Sequence, residues 1–160
     1  MSIINVVGAK IWGGGEQYVY DICKQLQQRH RTAYILVDQS NEDMQSRYAQ
    51  VGYVMTANLY TLKGFLSVNA VAKQVKAQGI DTIVCHSGKY ILFCIALKQL
   101  TGAKLVFIKH NLVPGKTDMY HRWINAQVDA FVCVSKLVYD DLMTPVIKDT
   151  SKYHVVYNGI

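Results

Sequence analysis

The chain has 160 residues, of which 51% are hydrophobic, 11% aromatic and 18% charged, and its formal net charge at pH 7 is +6. This composition is typical of a globular domain that buries about two-thirds of the surface its unfolded chain exposes. Only two prolines and no low-complexity tract occur, which argues against a disordered protein. The longest apolar run, 90–97, is far shorter than the ~20 residues of a membrane span, and the N-terminus lacks the features of a signal peptide. We therefore expect one folded domain in the cytoplasm.

Strand and helix patterns alternate along the whole chain. The first helix illustrates the basis, because Val19, Ile22, Cys23 and Leu26 follow the i, i+3, i+4, i+7 spacing of an amphipathic helix. Most strands are continuously apolar, which is typical of strands buried on both faces. This alternation predicts a three-layer α/β/α Rossmann-like domain with a parallel sheet. Strands are predicted at 3–8, 32–37, 52–55, 81–85, 104–108, 130–134 and 153–157, and helices from 16 onward and at 41–50, 65–76, 90–100, 118–126 and 136–143.

The first strand is followed by a glycine-rich loop at the edge where such sheets bind ligands, namely the carboxyl ends of the strands. It carries Gly13, Gly14 and Gly15, followed by Glu16. The spacing fits neither a P-loop nor a dinucleotide fingerprint, because the Lys-Ser/Thr pair and the G-x-G-x-x-G order are missing. Adjacent glycines at a helix N-terminus let a ligand approach the backbone, whose N–H groups favour an anion. An anion or polar-substrate loop is predicted, with a flexible turn as the alternative.

Two further loops carry a histidine directly after a strand. His86 is followed by Ser87 and Lys89 on one loop, and His110 is followed by Asn111 on another. The histidines could form a polar pair that donates, accepts or transfers a proton near neutral pH. A capping or ordinary loop role is the alternative for each. Because no cluster of carboxylates accompanies them, no metal site is expected.

Ser135 and the cysteines are expected to be structural. Ser135 lies between a strand and a helix, so it is predicted to cap that helix, and no base stands beside it to activate it as a nucleophile. The cysteines are widely spaced in apolar stretches and form no Cys-x-x-Cys pair, which predicts buried free thiols rather than a zinc or redox site. They are Cys23, Cys85, Cys94 and Cys133.

Positive charge is concentrated in the segment 82–117, which contains five lysines and neither Asp nor Glu. Such a field suits phosphates, anionic lipid head groups or nucleic acid, while an ordinary solvated surface is the alternative. The segment has no arginine, so nucleic acid is not an expected partner. The lysines are Lys89, Lys98, Lys104, Lys109 and Lys116.

Five segments carry patterns that belong together. Residues 13–16, Gly-Gly-Gly-Glu, resemble a loop written G-G-x-E, and residues 81–87 resemble D-[VI]-[VI]-x-x-H-S. The strand within 104–111 ends in His-Asn, and 132–135 and 155–160 resemble V-S and V-x-x-N-G-[IV] signatures. In this order and at these spacings, the chain resembles the N-terminal half of a family-4 retaining glycosyltransferase of the GT-B fold.

The resemblance implies a role for each candidate residue. The domain would hold the acceptor, and its glycine loop, Gly13, Gly14, Gly15 and Glu16, would face the donor diphosphate. His86 would contact the transferring sugar or the acceptor, which makes it the candidate catalytic residue. The acceptor side would be formed by Ser87, Lys89, His110, Asn111 and Ser135.

The resemblance also implies the reaction and its partners. A hexose would pass from a nucleotide sugar, with retention of configuration, to a glycan, lipid-linked or lipopolysaccharide-type acceptor of the cell envelope. Neither a cofactor nor a divalent metal would be needed. Lysines near the cleft would suit an anionic acceptor or peripheral contact with the anionic inner membrane.

The chain departs from the family pattern in two respects. Many relatives have H-x-H where this chain has Val84-Cys85-His86, so the first histidine is missing. The pattern at 158–160 marks the start of the family's interdomain linker, so residues 1–160 are expected to be the acceptor-binding domain without its donor-binding partner, inactive alone. Two other functions stay open: a binding module that docks on an anionic partner or membrane, and half of a GT-B-like sugar-nucleotide epimerase or hydrolase.

Overall fold

The computed structural model describes residues 1–60, 64–143 and 150–158, excluding the side chain of Phe65. Every predicted strand and helix is present within these ranges. The strands are β1 (Ile3–Val7), β2 (Tyr34–Asp38), β3 (Tyr53–Ala57), β4 (Thr82–Cys85), β5 (Lys104–Lys109), β6 (Ala130–Cys133) and β7 (Tyr153–Val155). The helices are α1 (Gly14–Gln28), α2 (Glu42–Tyr48), α3 (Gly64–Ala77), α4 (Ile91–Thr101), α5 (Met119–Gln127) and α6 (Lys136–Leu142), with a 3₁₀ helix at Gly88–Tyr90.

The strands form one parallel sheet in the order β3-β2-β1-β4-β5-β6-β7. β1 pairs with both β2 and β4, so the chain builds the sheet outward in one direction up to β3 and then in the other direction from β4. The loops after β1 and β4 therefore diverge to opposite sides of the sheet and leave a crevice between them. This topology confirms the predicted Rossmann-like α/β/α domain and positions the site.

Apolar side chains cover both faces of the sheet, because successive residues of a strand point to opposite faces. On β1, Val7 belongs to the cluster formed with α1 and α2, whose buried residues include Val19, Cys23, Met44 and Tyr48. Val6 belongs to the cluster formed with α3 and α4, which includes Val68, Val71, Ile91 and Cys94. All four cysteines are buried and free, as predicted.

Element ends differ from the predictions where a local cap decides them. α1 begins two residues before the predicted start because Gly13 takes an extended N-cap conformation and its N–H donates to the Glu16 carboxylate at 3.0 Å. β7 ends at Val155, two residues before the predicted end. Of the family signature at 155–160, the last two residues lie outside the described ranges. In the described part of the chain, no helix has the length and apolar character required to cross a membrane.

We expect Gly8→Ala to destabilise the fold. A Cβ atom at position 8 would lie 2.8 Å from two ring carbons of Tyr90, which is buried, and 3.0 Å from the Leu59 side chain. Displacing a buried ring should lower the free energy of unfolding by about 1–3 kcal/mol in urea titrations. Gly14→Ala is the matched control, because a Cβ there meets no atom within 4 Å and should change stability by less than about 0.5 kcal/mol. Equal stability of the two variants would contradict the packing argument.

Candidate functional site

A cleft of about 370 Å³ opens at the carboxyl ends of β1, β4 and β5. Three aromatic or apolar residues, Ala9, Tyr60 and Tyr90, complete its lining. All candidate residues except Ser135 line this one cleft, and they are Gly13, Gly14, Gly15, Glu16, His86, Ser87, Lys89, His110 and Asn111. The structure thus brings together residues that lie almost one hundred positions apart in the sequence.

The glycine loop is anchored on its outer side. Asn41, the N-cap of α2, donates from Nδ2 to the backbone oxygen of Ala9 at 3.1 Å. The Trp12 ring packs against Tyr20 and Tyr48, with the Arg47 guanidinium 4.9 Å from its centroid. These contacts hold the loop in place, although it is rich in glycine.

The inner side of the same loop is open. Gly14 and Gly15 occupy the first positions of α1, where backbone N–H groups have no acceptor within the helix. Around Gly14 there is free space, and Gly15 faces the ring of His110 at ordinary contact distance. Tyr48 donates from its hydroxyl to the Glu16 backbone oxygen at 3.0 Å, which ties this end of α1 to α2. The helix start is therefore fixed and accessible to an anion.

The two histidines contact each other through their ring nitrogens. His86 Nδ1 and His110 Nε2 are 2.9 Å apart. The ring centroids are 5.2 Å apart with an angle of 22° between the planes, so the rings meet edge to edge and nearly coplanar. This geometry directs the lone pair of one nitrogen at the N–H of the other, as a hydrogen bond requires. The predicted polar pair is present.

A residue that the sequence analysis missed completes the pair. The Oδ1 atom of Asn5 lies 3.0 Å from His86 Nε2, and Asn5 is only 5% exposed. Asn5 stands in the middle of the apolar strand β1. A single amide in a buried strand needs a hydrogen-bond partner, and this was the signal in the sequence that could have identified Asn5. Tyr18 on α1, also missed, packs its ring against both histidines with centroid distances of 6.4 and 5.2 Å.

Burial sets the ionisation of these groups. It lowers the pKa of His86 to about 3, with a smaller contribution from neighbouring His110. Burial also lowers the pKa of His110 and raises that of Tyr18. All three groups are therefore uncharged at neutral pH.

The remaining candidates have local structural contacts. Ser87 caps the 3₁₀ helix by accepting from the Lys89 N–H at 3.3 Å, and Lys89 and Asn111 are exposed on the rim. Ser135 accepts from the Val138 N–H at 3.2 Å and is the N-cap of α6, as the capping interpretation predicted. It does not line the cleft of the other candidates.

The five lysines of the segment 82–117 do not form one basic surface. Lys98 pairs with Asp129 at 2.8 Å, and Lys109 lies over the ring of Phe107. Lys104 begins β5 and Lys109 ends it, so strand geometry separates them by about 17 Å. Lys89 is the member that lines the cleft. The lysines that follow one another in the sequence therefore lie at opposite ends of β5 and not on one surface.

A smaller polar pocket of about 250 Å³ adjoins the cleft beyond Ala9 and Tyr60. Asp38 at the end of β2 is buried there, and its carboxylate accepts from the Ser40 N–H at 3.0 Å and the Leu59 N–H at 2.9 Å. These bonds fix the loops after β2 and β3 beside the cleft. The described ranges hold no group of three His, Cys, Asp or Glu residues that could bind a metal ion.

The parallel sheet with its switch point between β1 and β4 is that of a Rossmann-like domain, and its fold matches that of GT-B glycosyltransferase domains. The family model described as Glycosyltransferase Family 4 matches residues 12–160, and the chain belongs to that family. A search of curated proteins gives no match.

Solved structures support the same fold. A glycosyltransferase from Rickettsia africae ESF-5 is 19% identical with a TM-score of 0.84, and the match covers 99% of this chain and 43% of that protein. Anabaena Alr3699/HepE, solved with UDP and glucose, is 18% identical with a TM-score of 0.71, and the match covers 100% of this chain and 45% of that protein. The lipopolysaccharide outer core galactosyltransferase WaaB is 15% identical with a TM-score of 0.70, at 100% and 46% coverage.

The fold is also shared with another enzyme class. A putative UDP-N-acetylglucosamine 2-epimerase from Listeria monocytogenes is 9% identical with a TM-score of 0.65, and the match covers 95% of this chain and 43% of that protein. At these identities the likeness is one of fold. The chain spans less than half the length of each of these proteins.

Lowering the pH should destabilise the domain through the half-buried histidines. In the unfolded chain a histidine takes up a proton near pH 6.5, whereas burial holds the pKa of folded His86 near 3. Between these values the unfolded state binds more protons, so the free energy of unfolding falls as the pH falls. The expected slope is at most about 1.4 kcal/mol per pH unit for each such histidine, and above pH 6.5 the effect vanishes.

Urea titrations between pH 7.5 and 4.5 would measure this slope. His86→Gln should reduce it, whereas Ser87→Ala, an adjacent change that removes no titrating group, should leave it as in the wild type. The same slope in His86→Gln and wild type would show that His86 is protonated in the folded state as easily as in the unfolded chain.

Proposed function

We propose that this chain is the acceptor-binding domain of an enzyme that transfers a hexose from a nucleotide sugar to a glycan, lipid-linked or lipopolysaccharide-type acceptor with retention. The observation that carries the proposal is the single cleft in which an open helix N-terminus faces a histidine pair. The first suits the diphosphate of a donor, because it supplies backbone N–H groups and the positive end of a helix dipole. The second suits the hydroxyl groups of sugars.

The family and the solved structures support the chemical class proposed for the substrates. Anabaena Alr3699/HepE was solved with UDP and glucose, and WaaB is named as a lipopolysaccharide galactosyltransferase. By analogy, the glycine loop of this chain, Gly13 to Glu16, would face the donor diphosphate. His86 and His110 would lie toward the transferred sugar and acceptor, with Ser87, Lys89 and Asn111 around them and Ser135 outside the cleft lining. Neither a cofactor nor a metal ion is part of this proposal.

An epimerase half is the second candidate, favoured by the fold it shares with the Listeria protein. The two candidates differ in the carboxylates expected of a donor-binding domain. The sequence encoded after codon 160 distinguishes them: a carboxylate pair spaced as E-x7-E supports the transferase, and its absence from a following domain would favour the epimerase.

We expect the chain alone to transfer no sugar, because a cleft between two domains is needed to orient the donor against the acceptor. Release of UDP and formation of a glycoside from UDP-hexoses would be measured for this chain and for the protein that includes the donor-binding domain. In the latter, His86→Ala should lower turnover at least tenfold while leaving the folded structure intact. Turnover by the chain alone would contradict the two-domain proposal, and unchanged kinetics of His86→Ala would remove His86 from the mechanism.

Peripheral contact with an anionic membrane is also proposed, at the exposed face of α5. Met119, Tyr120 and Trp123 are 86%, 49% and 48% exposed there, on the helix that follows β5 at the cleft edge of the sheet. Lys116 and Arg122 beside them are exposed, whereas the carboxylate of Asp118 is engaged by His121. Exposed apolar and aromatic side chains with flanking basic residues suit insertion at an anionic lipid surface.

Co-sedimentation with vesicles that contain phosphatidylglycerol tests this surface. Binding should fall with salt, and the double change Met119→Ser with Trp123→Ser should weaken it at least tenfold through lost apolar burial. Leu66→Ser is the matched control, because Leu66 on α3 is 82% exposed and lies on another element. No binding to the vesicles, or an equal loss in the control, would contradict the proposed surface.

A further inference from the structure

Only one hydrogen can lie between the facing ring nitrogens of His86 and His110. At 2.9 Å, His86 Nδ1 and His110 Nε2 form a hydrogen bond only if one nitrogen carries the hydrogen and the other presents its lone pair. Two N–H groups facing each other, or two lone pairs, would repel. The two rings are therefore coupled, and whatever fixes the tautomer of one fixes the other.

Asn5 decides the direction of this hydrogen bond. Its Oδ1 lies 3.0 Å from His86 Nε2, and an amide oxygen can only accept, so Nε2 of His86 donates. The backbone of Asn5 is held in the centre of the sheet, because Asn5 is aligned with Ile35 on β2 and with Val84 on β4. A neutral His86 with its proton on Nε2 has its lone pair on Nδ1 and so accepts from His110 Nε2.

The chain of hydrogen bonds ends on one free atom. A neutral His110 that donates from Nε2 has its lone pair on Nδ1, and Nδ1 has no hydrogen-bond partner among the described residues. The other side of the ring is packed, against Tyr18 and Gly15. The ionisable groups around the pair are Tyr18 and Glu16 from α1, Lys89 from the 3₁₀ helix, and Tyr60 and Tyr90 in the cleft lining.

We propose that Asn5 is a positioning residue which, through neutral His86, holds His110 in the tautomer whose Nδ1 accepts a hydrogen bond from a substrate hydroxyl. The two ends of the cleft then bind different kinds of chemical group. The N-terminus of α1 offers donors and takes the anionic part of a ligand, whereas the histidine end offers an acceptor and takes an O–H group. The tautomer assignment stands whatever the reaction, and only the identification of the hydroxyl with that of a sugar rests on the proposed function.

Nuclear magnetic resonance of the ¹⁵N-labelled 160-residue chain tests the assignment without any activity. Two-bond correlations between ring protons and nitrogens should show both His86 and His110 protonated on Nε2 at pH 7. In Asn5→Leu, which removes the acceptor and keeps the side-chain size, His86 should move its proton to Nδ1 and His110 should carry its own on Nδ1. Wild-type His86 protonated on Nδ1, or tautomers unchanged in Asn5→Leu, would overturn the proposal.

Two further variants separate this role from a merely structural one. Asn5→Asp keeps an acceptor and adds negative charge, so the wild-type tautomers should be retained and the pair should bind its extra proton at a pH at least one unit higher. Asn69→Leu, an exposed amide on α3, is the control and should alter neither property. If Asn5→Leu fails to fold, an unchanged titration of the histidines in Asn5→Asp would by itself overturn the proposal.

Inorganic sulfate, which carries no O–H group at pH 7, probes the division of the cleft. Because the lone pair of a neutral acceptor repels an anion that has no hydrogen to donate, sulfate at pH 7 should leave the ring nitrogens of His110 unshifted at concentrations up to about a hundred millimolar. Protonation of His110 in the presence of sulfate would show that the anion binds at the histidine end of the cleft and would overturn the proposal. This result does not depend on sugar transfer, so failure of the proposed function would be recognised separately.

Discussion

The structure depends on the parallel pairing of β1 with both β2 and β4. This pairing places β1 at the centre of the sheet and reverses the direction in which the sheet grows, so the loops after β1 and β4 separate. Into the opening between them project the start of α1 from one side and His86 from the other. It also places Asn5 between two paired strands, β2 and β4, which makes a strand residue part of a loop-built site.

The cleft combines rigid support with an open surface. Trp12 and Asn41 hold the outer side of the glycine loop, while Gly14 leaves its inner side free of side chains. On the opposite side, partial burial keeps the histidine pair uncharged, so an anion in the proposed site would be bound by backbone N–H groups and the rim residue Lys89. A ligand with an anionic end and a hydroxyl-bearing end matches this arrangement better than one with a single kind of group.

The sequence predicted the fold because its signals are local. The periodicity of α1 and the apolar runs of the strands each depend on neighbouring residues, and strand and helix alternation has few topological solutions. It also predicted the site loops, since the carboxyl ends of parallel strands share one edge. It failed where spatial partners decide the outcome. Of the two alternatives for the basic run at 82–117, a single positive field or an ordinary solvated surface, the sequence could not choose; in the structure Lys98 meets Asp129 and Lys104 lies at the far end of β5. Asn5 and Tyr18 were passed over because nothing near them in sequence indicates a histidine.

The presence of Asn5 in the apolar strand β1 follows from the energetics of the pair. An unpaired amide or imidazole N–H in this position costs about 1–3 kcal/mol, so either Asn5 or His86 alone would destabilise the domain. Together each satisfies the other, and the remaining lone pair of His86 is satisfied by His110. This chain of hydrogen bonds, from Asn5 through His86 to His110, ends at His110 because that residue lines the cleft, where a ligand can supply the last partner. A buried, uncharged network of this kind gives up the freedom to exchange tautomers, and in return the group at its open end has one defined chemical character.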